Sequence, residues 1–390
     1  MQFSKRIERM ETSIFSYMTA LKAQVEAEKG IKVINLGIGS PDRPPSEAIR
    51  QAISDSVMNG DEYRYPLTDG TDSLRKAIVK WYLERFNVEL DPEKEVLVLM
   101  GSQDGLSHVC QAILDPGDIA LVPDPGYPVY SAGVILADAI KYPLVLTQEN
   151  SFLPKYENIP EDICKMAKMM FLNYPGNPIP APGTLEFFKE TVKFARENSI
   201  IVCHDNAYSE LAYDGFSPPS FLQADGAKDV GVEFHSFSKT FNMAGCRIGF
   251  VVGNSKVIKA LTEVKANIDY GVFLPVQHAA EVALSNYKEW VTDNSMVYQK
   301  RRDVLIDGLS SLGWNIDKPK ASMFLWAELP QGHTSSQTFA EQLLEEAGVL
   351  VIPGTAFGKN GEGYVRIAFV QEEKVLLEAV DRIKSFLKEE

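Results

Sequence analysis

The sequence predicts an α/β fold, with a large domain built on a mostly parallel sheet and a smaller α+β domain attached to it. Three observations carry this reading. Short apolar runs alternate with amphipathic segments through the centre of the chain, the runs end in polar turns, and the pattern changes after about residue 284. The predicted large-domain strands are 95–101, 119–123, 169–173, 200–204, 232–236 and 247–252, each apolar and bounded by Gly, Pro or Asp. Amphipathic stretches at 103–114 and 185–198 read as helices between them, and such alternation is the mark of a parallel sheet covered on both faces. Beyond residue 284 come a long helix reaching 312, a strand at 323–329, a helix at 336–347, a strand at 363–370 and a closing helix. The first 30 residues read as a helical arm feeding a strand at 33–37. We therefore expect a large domain over 46–284 and a small one formed by 1–45 and 285–390.

Composition narrows the function. A chain of 390 residues, 45% hydrophobic and 24% charged, is ordinary globular material with room for two cores. Its net charge of -14 and lack of a Lys/Arg run disfavour nucleic acid or an anionic membrane as partner, and favour a small-molecule substrate. The opening MQFSKRIERMETSIF has no apolar core of signal-peptide length, and no later stretch is apolar enough to span a bilayer, so a cytoplasmic protein is expected. Cys110, Cys164, Cys203 and Cys246 are scattered, without a Cys-x-x-Cys pair or His-rich company. They signal neither a disulfide framework nor a metal site.

The candidate chemistry sits where the predicted strands end, because ligands of open α/β sheets bind beyond the carboxyl ends of strands. Gly101-Ser102-Gln103 lies between a strand and a helix, where exposed N–H groups and a hydroxyl can cradle a phosphate, or where Ser102 can simply cap the helix. In His204-Asp205-Asn206-Ala207-Tyr208 a carboxylate emerges from an apolar strand. Strand alternation sends His204 to the opposite side, as a packing residue. In Ser236-Phe237-Ser238-Lys239-Thr240 an amine is flanked by hydroxyls, with Arg247 eight residues on. A buried site and a nearby Arg both lower a lysine's pKa, which makes it nucleophilic. Arg366 lies in an alternating strand, where a guanidinium suits a bidentate carboxylate.

The segments SFSKTFNMAGCRIG (236–249), HDNAYSE (204–210), PDPGYPVY (123–130), NYPGNP (173–178) and YVRIAF (364–369) together resemble the class I/II aminotransferases of fold type I, over essentially the whole chain. Their local wording, with RYP and GSQDG, is most similar to the bacterial LL-diaminopimelate aminotransferases. The resemblance implies pyridoxal 5'-phosphate as cofactor and transfer of an amino group between an amino acid and a 2-oxo acid such as 2-oxoglutarate. Diaminopimelate, aspartate and aromatic amino acids all remain open as donors. It implies Lys239 as the Schiff-base lysine and proton carrier. Asp205 would partner the pyridine nitrogen and keep it protonated, so that the ring acts as an electron sink. Tyr208 and Asn177 would be donors to the ring oxygen, and Tyr127 the stacking aromatic. Ser102, Gln103, Ser236, Ser238 and Arg247 would surround the phosphate. Gly39, Asn177 and Arg366 would hold the substrate carboxylate. Tyr65 would reach the phosphate from a neighbouring subunit, which implies a homodimer with shared sites.

Three departures from the family bear on substrate: Asn177-Pro178-Ile179-Pro180 where Asn-Pro-Thr-Gly is usual, Gln103 in place of Lys, and Cys246 in place of Trp. A tight turn presenting Asn177 predicts a cis Asn177-Pro178 bond. A PLP-dependent lyase or decarboxylase, and a non-catalytic effector-binding protein on the same fold, are the alternative readings. Regulators of the latter kind resemble this chain with a basic helix-turn-helix added, which this sequence does not show.

Overall fold

The computed structural model describes residues 3–10 and 13–389. Its strands are β1 (Ile34–Asn35), β2 (Val96–Leu99), β3 (Ile119–Asp124), β4 (Ile140–Val145), β5 (Ala167–Leu172), β6 (Ile201–Asp205), β7 (Gly231–Ser236), β8 (Gly249–Gly253), β9 (Phe324–Glu328), β10 (Val349–Leu350), β11 (Ile352–Pro353) and β12 (Tyr364–Ala368). Seven of them form one sheet in the order β2-β8-β7-β6-β5-β3-β4. It is parallel throughout except for β8, which runs antiparallel to both neighbours. A small antiparallel sheet, β11-β12-β9, belongs to the second domain, and β1 pairs with β10 beside it.

The α/β fold expected from the sequence is the one observed. Both faces of the large sheet are covered, and the two-residue period of a strand divides its side chains between them. In β2, Val96 and Val98 join one hydrophobic cluster, with Tyr82 and Phe250, while Leu97 and Leu99 join another, with Leu106 and Val109. Helices Ser102–Ile113 and Leu185–Asn198 form close to where periodicity puts them. In the latter, the Thr184 hydroxyl accepts from Phe187 N at one end and Ser199 adopts φ 56° at the other.

Three expectations need correction. The strand Ile140–Val145 has no place in the sequence reading: it is largely exposed and contains Pro143, which only an edge position tolerates. The strand expected at 247–252 starts instead at Gly249, because Arg247 turns the chain at φ 52°. The helix expected from about 284 to 312 spans Tyr287–Ser310, separated at Asn286 from a preceding helix, Leu274–Ser285. Among the described residues no helix is long and apolar enough to cross a membrane, and no group of His, Cys, Asp or Glu is arranged to hold a metal ion. Cys110, Cys164 and Cys203 are buried free thiols, and Cys246 is partly exposed.

Candidate active site

Strand direction assembles the site. β2 and β7 end at Leu99 and Ser236, and both residues pair with Gly249, the first residue of antiparallel β8. The start of β8 therefore meets the ends of its two neighbours, and Arg247 arrives beside Ser102, Ser236 and Ser238. Ser102 does not cap its helix: the cap is Gly101, at φ 84°, with no side-chain hydrogen bond. A Cβ on Gly101 would lie 2.8 Å from Arg247 Nη2, and one on Gly249 would lie 2.7 Å from Ser102 N. Backbone amide, hydroxyl and guanidinium thus converge at a helix start, an arrangement suited to an anion. Ser236 accepts from Ser238 N at 3.2 Å and caps the short helix Phe237–Thr240 that carries Lys239. Gln103 is at the rim, where its Oε1 accepts from Tyr127 at 3.4 Å.

Lys239 Nζ donates to the Gly39 carbonyl at 2.6 Å. Enclosure by protein pushes this amine down to about 8, with the positive charges of Arg366 and Arg247 acting the same way and Asp205 opposing them. Asp205 ends β6 and is buried. Its Oδ2 accepts from the Tyr130 hydroxyl at 2.8 Å and its Oδ1 from Ala207 N at 3.3 Å. Burial pushes its carboxyl up, and the Tyr130 hydrogen bond pulls the other way. His204 faces the other side of the strand, as expected, where its Nδ1 lies 2.8 Å from Glu233.

Across the cleft, Arg366 on β12 is buried under the rings of Phe324, Phe357 and Phe15, at 4.3, 4.7 and 5.4 Å from their centroids. Its Nη1 donates to Asn177 Oδ1 at 2.7 Å and its Nη2 to the Gly37 carbonyl. Burial draws the guanidinium down to about 10, so it stays cationic at neutral pH. Asn177 is followed by a cis proline bond, as the turn predicts, and its side chain also meets Tyr208, whose phenol burial pushes up.

Gly39, Ser102, Gln103, Tyr127, Asn177, Asp205, Tyr208, Ser236, Ser238, Lys239, Arg247 and Arg366 all line one cleft of about 430 Å³. Tyr65 does not. It is 84% exposed, and its ring packs on Tyr270 at 5.3 Å. The sequence reading missed Tyr130, Asn173 and the three phenylalanines around Arg366. Tyr130 had a signal, as the second tyrosine of PDPGYPVY, three positions after Tyr127 at the start of helix Pro128–Leu136. Phe15 and Phe357 had none, since an aromatic residue in an arm or a turn is unremarkable without its neighbours.

The chain matches the family Aminotransferase class I and II over residues 31–383. It is 46% identical over 388 residues to an LL-diaminopimelate aminotransferase of Moorella thermoacetica, covering 99% of both chains. It is also 46% identical over 384 residues to the protein of that name from Desulforudis audaxviator, covering 98% of this chain and 97% of that one. Substrate-bound BacF from Bacillus subtilis superimposes with a TM-score of 0.95 at 38% identity, covering 99% of this chain and 98% of that one. A lysine, an anion cradle, a buried carboxylate and a buried arginine meeting in one cleft, with likeness of this extent, lead to one conclusion: the chain belongs to the class I and II aminotransferases, enzymes that depend on pyridoxal 5'-phosphate.

Proposed function

We propose that this enzyme moves the amino group of LL-diaminopimelate to 2-oxoglutarate, with Lys239 as its catalytic lysine. The observation that carries the site assignment is the meeting of Lys239, Asp205, Arg247 and Arg366 in one cleft. The donor named by the relatives supports the substrate.

The residues fit the cofactor on chemical grounds. Asp205 is a buried carboxylate whose hydrogen-bond donors are a phenol and an amide rather than a cation, a setting that suits a protonated ring nitrogen. The Gly101 and Gly249 backbones leave a cradle that a Cβ would fill, next to the Ser102 hydroxyl and the Arg247 guanidinium. Bound there, pyridoxal phosphate supplies an electron sink for the pair left when a bond to the substrate Cα breaks. Ser102, Ser236, Ser238 and Arg247 hold the phosphate, with Gln103 beside them. Tyr127 would face the ring, and Tyr208 and Asn177 would supply donors to its oxygen. Lys239 Nζ would be the amine that holds the cofactor and, when free, the base positioned to remove and return the proton at the substrate Cα. An amine lowered to about 8 is neutral often enough near neutral pH to do so. Arg366, Asn177 and Gly39 hold the α-carboxylate.

A homodimer completes the site. Tyr63, Tyr65, Leu67, Tyr270 and Phe273 are exposed apolar side chains in one neighbourhood, with Tyr63 against Phe273 and Tyr65 against Tyr270. Such a patch suits a second copy of the chain, and Tyr65 then serves its partner's cleft rather than its own. A screen of amino donors against 2-oxoglutarate, following glutamate and the keto product, tests reaction and substrate together. Turnover with aspartate or an aromatic amino acid, but not with LL-diaminopimelate, overturns the proposed donor.

A further inference from the structure

On the face of the sheet away from Asp205, His204 and Glu233 stand opposite each other on β6 and β7, both fully buried. Glu233 is saturated with donors. Its Oε1 accepts from Ser220 at 2.7 Å and from Tyr82, with His235 Nε2 at 3.1 Å, and its Oε2 accepts from Phe221 N at 2.7 Å and meets His204 Nδ1 at 2.8 Å. Burial alone would push this carboxyl up, but the hydrogen bonds and charge of His204 and His235 hold it well below the usual carboxylate range. A buried carboxylate so fully paired is a fixed point.

His204 carries that fixity toward the cleft. Its Nε2 lies 3.3 Å from Tyr174 N and 3.1 Å from Tyr174 O. With Nδ1–H donating to Glu233, a neutral ring accepts from the Tyr174 N–H, while a charged ring donates to the carbonyl, so either form pins the same backbone. The neighbouring Asn173 donates from Nδ2 to the Asp205 carbonyl at 2.7 Å and accepts from Asn177 N at 2.7 Å. Asn177 Oδ1 in turn receives Arg366 Nη1 at 2.7 Å.

We propose that His204, held by Glu233, is a positioning residue for the substrate carboxylate site: through Tyr174 and Asn173 it sets the turn that presents Asn177 to Arg366. This rests on the assignment of Asn177 and Arg366 to substrate binding made above.

Two variants of the cofactor-loaded enzyme separate the two bonds of His204. His204→Asn puts an amide near the Nδ1 position and keeps the Glu233 bond, while His204→Gln reaches the Nε2 position and keeps the bond to Tyr174. His204→Asn should raise KM for the amino donor about three- to tenfold, with kcat changed less, as loss of a positioning hydrogen bond implies. It should also alter the visible circular dichroism of the bound cofactor, and His204→Gln should restore both readings toward the parent. The opposite ranking, or KM rising only in step with lost thermal stability in both variants, overturns the proposal. If either variant fails to fold, Asn173→Ser cuts the next link while leaving the buried network intact, and an unchanged KM there overturns it equally. Asn177→Ala separates the two readings. If its KM is unchanged, the carboxylate-site assignment fails; if its KM rises while both His204 variants match the parent, only the positioning role fails.

Discussion

The Tyr130 hydroxyl donates to Asp205 Oδ2 at 2.8 Å, joining the first turn of a helix to the end of a strand 75 residues away. This bond favours the ionised carboxylate against the burial that pushes its pKa up. Without it Asp205 takes up a proton at higher pH. In Tyr130→Phe the acid limb of kcat/KM should therefore move toward higher pH, while the alkaline side is preserved, as expected on losing a hydrogen bond to the charged form. Asp205→Asn, which keeps the shape and removes the charge, should lower the rate of Cα proton removal by about two orders of magnitude or more at every pH. Single-turnover kinetics across the pH range measure both. A parental rate in Asp205→Asn excludes the role.

Borohydride reduction of the loaded enzyme should fix the cofactor on the peptide containing Lys239, and Lys239→Ala should have no measurable turnover even if it still binds cofactor. The same lysine has a cost for folding in the cofactor-free protein. Its folded pKa, about 8, lies below the ordinary lysine value of 10.5, so the native state loses the proton first. The penalty is full below pH 8 and fades as pH rises toward 10.5. Lys239→Met should then stabilise the cofactor-free protein by about 3 kcal/mol at neutral pH, with a smaller gain at alkaline pH. Urea unfolding at several pH values reads this directly, and a gain that grows with pH would contradict the assignment.

Arg366 uses two of its nitrogens on Asn177 and Gly37 while a third, Nε, is buried with no partner among the described residues. Lysine cannot reproduce that planar fork. Arg366→Lys should raise KM for both amino and 2-oxo acid by about 10- to 100-fold with a smaller change in kcat, a loss typical of a bidentate charged contact. Unchanged KM values would remove Arg366 from substrate binding.

If Tyr65 serves the partner's site, mixing inactive Lys239→Ala and Tyr65→Ala homodimers under conditions of subunit exchange should regenerate activity. One cleft of each hybrid then combines an intact Lys239 with an intact Tyr65 from across the interface, while the other carries both lesions. The experiment requires first that Tyr65→Ala be severely impaired. With that control and verified exchange, no recovered activity argues for a site contained within one subunit.

What could be read in the amino-acid order was the set of buried strands and the polar residues that leave them. A strand covered on both faces must be apolar, so the first polar side chain beyond it marks the edge where ligands bind, and Ser102, Asp205 and Lys239 all stand at or just beyond such positions. Arg366 was legible only through its companions, since an arginine in an alternating strand ordinarily faces water. The tertiary structure decided the rest. The antiparallel course of β8 brings Arg247 to the ends of β2 and β7, Tyr130 reaches Asp205, Arg366 reaches Gly37 across 329 residues of sequence, and His204 finds Glu233. Local pattern can mark such a residue, as it does Tyr130, but not the partner it meets, because periodicity reports which face of an element is buried, whereas pairing and register are settled by packing between segments far apart in the chain. The edge strand Ile140–Val145 escaped for a related reason: with little of it buried, no apolar pattern was required of it, and only its pairing with β3 makes it a strand.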